Sequence, residues 1–422
     1  MARSVRIAGV VVLATALFLV GGIGLLRSAA PTDAGAASTD PALAPTQDAD
    51  ALTAFGLAEI QRARTTADPS AYPRAQEALE RAARIEWRDG DVGSQTLIGL
   101  GALALARHDF AEALRYGERA VRANPDDGDA YGVVGDALVE LGRYDAAFDT
   151  FQTMVDTEPD VASYARVSYA RELQGEVHGA IEAMEAAERV SGTPADAAWS
   201  AFHIGQLRLR SGDVPGAAAD FRRAIGIDPS FVPARAGLGR VAYARGDLDE
   251  AIARYEEVVT VYPAAENVIW LAELQAAAGD AEGAAQQRDL VRAIQRLAAA
   301  NGVNVDLEVA LFEADHGDPD VALSAARAEW SRRRSIHAAD AMAWALAANG
   351  RDRAAAGFAR LALRLGTPDA LVIYHAGVID LALGDVESGR RLLSEALEID
   401  PAFSVLHAPR AERMLARTAG DS

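Results

Sequence analysis

Residues 138–159 read LVELGRYDAAFDTFQTMVDTEP, and the local physics of most of the chain is contained in this stretch. A first helix ends at Gly142, a residue able to take the left-handed backbone that closes a helix. Tyr144 is placed to pack across the turn, and Ala147 marks a point where two helices approach too closely for a larger side chain. Phe151 and Met154 continue an apolar stripe at helical spacing, and Pro159 blocks further propagation. The stretch therefore predicts two amphipathic helices folded back on each other. Such a pair cannot bury its stripe alone, so neighbouring pairs must cover it.

The neighbours are present on both sides. A turn residue recurs at Gly142, Gly175, Gly212, Gly246, Gly279, Gly317, Gly350 and Gly384, at intervals of 33, 37, 34, 33, 38, 33 and 34 residues. His108 takes the equivalent place 34 residues before Gly142. Five residues after each marker stands a small residue: Ala113, Ala147, Ala180, Ala217, Ala251, Ala284, Ala322, Ala355 and Gly389. Pro125, Pro159, Pro229, Pro263 and Pro401 close units. The spacing predicts nine units over residues 94–403, a longer helical pair before them at 51–90 and a capping helix at 405–418.

The residues resemble those of the tetratricopeptide repeat family. One unit runs Tyr131, Val134, Gly135, Leu138, Gly142, Tyr144, Ala147, Phe151, Pro159, and another runs Arg235, Leu238, Gly239, Gly246, Leu248, Ala251, Tyr255, Pro263. The resemblance implies an all-α fold, a right-handed superhelical solenoid of helix-turn-helix repeats over residues 51–422. An irregular section is expected at 285–335. There an overlong helix, AAQQRDLVRAIQRLAAANG, is followed by a unit with Asp306 and Glu313 at positions usually apolar. Glu273 also stands where a small residue is expected.

Composition narrows the chemistry. The net charge is −20, from 61 acidic residues against 41 basic ones, every one of them Arg. Without lysine there is no phosphate-loop lysine, no Schiff base and no Ser-x-x-Lys acyl transfer. The acidic balance argues against nucleic acid as a bulk partner. Zero cysteines exclude disulfides, thiol nucleophiles and thiolate zinc sites.

The amino terminus predicts a compartment. Arg3 and Arg6 precede an unbroken run of small and apolar residues from Ala8 to Leu26, about 28 Å long as a helix. Residues 1–27 read as a signal-anchor, or alternatively a signal peptide, with the remainder outside the cytoplasmic membrane. Residues 28–50, rich in Ala, Pro, Thr and Asp, read as a disordered tether.

No catalytic constellation stands out. None of the seven histidines makes an H-E-x-x-H pattern, and His337 with Asp340 at i, i+3 lacks a third metal ligand. NPDDGD at 124–129 reads as an interhelical turn whose aspartates cap the next helix. SRRR at 331–334 reads as a solvated face. The chain is therefore expected to be non-enzymatic, with no cofactor and no metal.

What remains is the concave face. In the resembled family the first helix of each pair lines it, and its recognition positions carry over to Asp136, Glu140, Tyr169, Glu172, Trp199, Phe202, Gln206, Arg210, Arg240, Tyr243, Trp270, Trp344 and Tyr374. They predict an acidic mouth and an aromatic middle, suited to an extended or helical peptide. The favoured expectation is an extracytoplasmic scaffold that binds a protein or peptide in this groove. The rivals are an assembly protein acting by self-association, and a small-molecule or glycan binder using the aromatic pocket.

Overall fold

The computed structural model describes residues 48–420, so the segment expected to anchor the chain and all but the last three residues of the tether lie outside it. Among the described residues no helix is long and apolar enough to cross a membrane. Asp48 and the two residues after it belong to the fold, because the Asp48 carboxylate accepts from Ala51 N at 3.1 Å and caps the first helix.

Ten antiparallel helical pairs follow one another. The first five are α1 Ala49–Thr66 with α2 Ala71–Asp89, α3 Ser94–Ala106 with α4 Phe110–Ala123, α5 Gly128–Glu140 with α6 Tyr144–Thr157, α7 Val161–Leu173 with α8 Val177–Arg189, and α9 Pro194–Arg210 with α10 Val214–Ile227. The next five are α11 Val232–Ala244 with α12 Leu248–Val261, α13 Ala265–Ala277 with α14 Ala281–Ala300, α15 Asp306–His316 with α16 Pro319–Arg332, α17 Ile336–Ala348 with α18 Asp352–Ala362, and α19 Ala370–Ala382 with α20 Val386–Ile399. A last helix, α21 Ala408–Gly420, ends the described chain.

The turns show why the glycine ruler works. At Gly142, with φ +76°, the Gly142 N–H donates to Val139 O and Arg143 N–H to Leu138 O, at 2.9 and 2.8 Å. These are the two reverse bonds of a Schellman cap, and the same pair recurs at Gly175, Gly212, Gly246, Gly279, Gly350 and Gly384. Gly317 departs: its φ is −143°, and Glu313 instead lends its carboxylate to Asp318 N at 3.0 Å. An aspartate directly after the glycine caps the second helix at Asp213, Asp247, Asp280 and Asp385. Gly-Asp thus ends one helix and starts the next. The aspartates of 124–129 do otherwise, since Asp127 makes no cap bond and accepts from Gln95 Nε2 at 3.0 Å.

Small residues let the helices touch. The eight alanines five places after the markers are fully buried, and a Cβ at Gly205 or Gly237 would stand 2.7 or 2.8 Å from the Phe221 ring. In the irregular section α14 runs for 20 residues and α15 for only 11. Its two acids have partners: Asp306 pairs with Arg332, and Glu313 accepts from Arg292 Nε at 2.9 Å.

The superhelix closes on itself. The α1 end meets the α12–α13 loop, where Tyr262 OH donates to Arg64 O at 3.1 Å. The α3–α4 turn meets the α14–α15 loop, with His108 Nδ1 donating to Asn304 O at 2.7 Å and Asn304 N–H to Arg107 O at 3.0 Å. The α5–α6 turn meets the α16–α17 loop, where Ile336 N–H donates to Tyr144 OH at 2.8 Å and Arg333 pairs with Glu140. The α7–α8 turn meets the α18–α19 loop through Thr367 Oγ1 on Leu173 O at 2.6 Å. Gly212, in the α9–α10 turn, lies against the Ile399 carbonyl at the end of α20. Each of the first five turns thus sits on the loop five pairs further along. Two coils lie edge to edge in constant register, and the concave face becomes the wall of a lumen.

Candidate functional site

The lumen contains a cavity of about 730 Å³ walled by several repeats. Trp199, Phe202 and His203 come from α9, Arg240 from α11, Phe231 from the α10–α11 loop and Arg64 from α1. Tyr72, Phe110, Tyr255 and Tyr262 extend the aromatic wall, and Gln61, Thr65, Asp228 and Ser230 bring polar groups to it. Phe202 meets Phe231 edge-on at 5.5 Å, and Trp199 packs on His203 at 4.0 Å. Burial drives His203 down to about 3, so it is a neutral ring. Glu266, on α13, is pushed up to about 8 by burial and is therefore protonated at neutral pH.

Closure sorts the expected groove residues into three groups. Glu140, Trp199, Phe202, Gln206 and Arg240 line this cavity. Tyr169, Glu172 and Arg210 line a second one of about 170 Å³, at the contact of α7–α8 with the α18–α19 loop, together with His337. Asp136, Tyr243, Trp270, Trp344 and Tyr374 line neither. Asp136 is held by Arg166 Nε and Nη2 at 3.0 and 2.8 Å. Trp270 stacks on Tyr255 at 5.8 Å beneath Arg240, with Tyr243 edge-on to it. Trp344 stacks on His375 at 4.1 Å, donates to Asp315 at 2.8 Å and packs with Tyr374 against His407.

The acidic mouth is a correction. Asp136 and Glu140 are buried, and Glu172, partly buried, is bonded to Arg210 at 2.8 Å. The physical reason is closure: carboxylates on a face stripped of water need a paired cation. Tyr169, Phe202, Gln206 and Tyr374 are also buried, and so are not open-groove side chains. SRRR is a second correction. It holds for Arg333 alone, which is buried between Glu140 and Glu329; Ser331, Arg332 and Arg334 are exposed as expected, Arg332 pairing with Asp306 and Glu329 and Arg334 lying 4.7 Å from the Trp330 ring centre. His337 and Asp340 do not come together as ligands, because Asp340 bonds His375 Nδ1 at 3.0 Å. Among the described residues no group of three metal-ligating side chains forms.

Sequence reasoning missed Arg64, Tyr72, His203, Tyr262 and Glu266. Arg64 and Tyr72 belong to the first pair, which has no marker glycine to set a register. Glu266 stands beside Asn267 on α13, and both line the cavity.

Family models described as tetratricopeptide repeat match residues 98–162, 168–230 and 208–268. Residues 98–268 are built of tetratricopeptide repeats. The family's solenoids serve generally as non-enzymatic scaffolds for protein–protein interaction. Among solved structures, a thermophilic tetratricopeptide protein of Thermus thermophilus is 25% identical, covering 40% of this chain and 92% of its own, with a TM-score of 0.37. The Cut9–Hcn1 hetero-tetramer of the APC/C is 16% identical over 88% of this chain and 76% of that one, at 0.46. Yeast Tom70 is 14% identical over 88% and 96%, at 0.36. No curated protein matches this chain.

Proposed function

We propose that this tetratricopeptide superhelix binds, without transforming, a short segment of a partner polypeptide in its luminal cavity. The observation that carries the reading is the cavity itself. It has the volume of a ligand site, an aromatic lining from α9, α10–α11 and α12, and exposed polar residues such as Gln61, Thr65 and Ser230 at its edge. Aromatic side chains supply large contact area at small entropic cost, as recognition surfaces require. The test is a photo-reactive residue placed at Ser230, beside the cavity, and another at Glu256, exposed on α12. The Ser230 probe should capture one partner in the native cell and the Glu256 probe should not. Equal labelling from both would count against a luminal site.

The compartment belongs to the same proposal. The Arg3 and Arg6 bias and the apolar run to Leu26 support a repeat domain held outside the cytoplasmic membrane. Protease added to intact spheroplasts should digest the repeats while a cytoplasmic marker survives. Protected repeats would reverse the assignment.

A further inference from the structure

One charge in the lumen wall has no counterpart. Nη1 and Nη2 of Arg64 are both buried and make no hydrogen bond among the described residues, although Arg64 lines the large cavity. The nearby acids are committed elsewhere, Asp136 to Arg166 by two bonds and Glu140 to Arg333. Arg64 stands in the last turn of α1, whose carbonyl end favours a cation but bonds neither nitrogen. Burial lowers its pKa, the mark of a cation removed from water. Buried polar groups in folded proteins otherwise find partners.

We infer that Arg64 is the anion-receiving group of the cavity, and that the ligand carries a carboxylate on an aromatic or aliphatic body. The inference rests on the cavity being a ligand site. A guanidinium offers two parallel donors in the geometry of a carboxylate, and a dry site strengthens that pair. The body then lies against Tyr72, Phe202 and Phe231, which share the cavity with Arg64. In a polypeptide partner the acid is a glutamate or aspartate side chain among apolar residues. A free amphipathic acid presents the same chemistry.

Two dyes test this on the whole chain: anilinonaphthalene sulfonate, which carries an anion, and phenylnaphthylamine, which has the same rings without it. Both should bind, the anionic dye about tenfold tighter or more. In R64M the anionic dye should fall to the level of the neutral one, whose binding stays unchanged. The melting temperature should hold or rise, because an uncompensated charge is gone. R64K keeps the charge without the fork and should fall between, which also serves should R64M fail to fold. Competition then separates the sources: a capped peptide with one glutamate among leucines displaces the dye and its glutamine counterpart does not. Displacement by decanoate alone overturns the polypeptide source. Anionic binding undiminished in R64M, beside normal neutral-dye binding, overturns the role of Arg64. Binding of neither dye overturns the cavity reading itself.

Discussion

At the residue scale, the turn glycines have a second task. Gly142 and Gly246 share a left-handed φ, +76° and +80°, so alanine strains both by about 1 kcal/mol or somewhat more. They differ in surroundings: a Cβ at Gly142 would strike the Arg334 carbonyl on the next coil, whereas at Gly246 nothing lies within 4 Å. G142A should therefore lose clearly more stability than G246A in parallel denaturant melts. Equal losses would mean the coils are not in contact at that turn. His108 shows the same logic reversed, since it accepts φ +60° while its ring reaches Asn304 on the other coil. A second comparison separates core from cavity. Phe151 is fully buried and does not line the cavity, and F151A should cost about 3–5 kcal/mol. Trp199 is half-buried at the cavity wall, and W199A should cost markedly less while weakening ligand capture by about 2 kcal/mol. Equal loss of melting temperature would mean that Trp199 is structural packing.

At the element scale, the α16–α17 loop is the main electrostatic clasp. Arg333 on this loop meets Glu140 of α5 and Glu329 of α16, with Glu308 of α15 close enough to act on its charge. Three carboxylates around one guanidinium leave an excess of acid in a buried place, and Glu308 is held up at about 8 chiefly by burial. Glu266 is raised to the same value for the same reason. Both folded pKa values lie above the ordinary 4.5, so the folded state keeps protons that the unfolded chain releases. Their contribution is complete below 4.5 and declines as pH rises to about 8. The histidines His108, His203 and His337 act oppositely but only below 6.5, because burial depresses them to about 4, 3 and 3. Stability should accordingly fall between pH 6.5 and 8. The slope is bounded by about 1.4 kcal/mol per pH unit for each of the two groups. E308Q should remove one group's share, read from denaturant midpoints across that range. An unchanged slope in E308Q would show that Glu308 is already ionised in the fold.

At the scale of the whole molecule, closure changes how a local defect spreads. In an open solenoid each repeat touches only its neighbours. Here the α5–α6 turn also carries the α16–α17 loop through Tyr144 and Glu140. Ala147 is fully buried, and A147L should overpack its pair at about 1–3 kcal/mol. Hydrogen exchange should then show lost protection in residues 128–157 and also at Ile336, nearly two hundred positions away. Loss confined to residues 110–180 would describe an open solenoid instead.

The helical pair was legible because its causes are local. A left-handed glycine, a small residue five places on, and an apolar stripe at helical spacing act within one turn or one pair, and they recur in the written order. Trp199, Phe202 and Arg240 are placed on the inner face only by the resemblance to the tetratricopeptide repeat family, and all three line the cavity. Closure could not be read this way. The contacts that make it join His108 to Asn304, Tyr144 to Ile336 and Leu173 to Thr367, each between backbone or small polar groups with no sequence signature. They depend on the small rotation at each pair, summed over five pairs, and no single unit reveals that sum. Only the tertiary structure therefore decided that Asp136 and Glu140 would be buried partners of arginines, that Arg333 would hold two coils together, and that Arg64 would stand in the cavity wall without an acid to meet it.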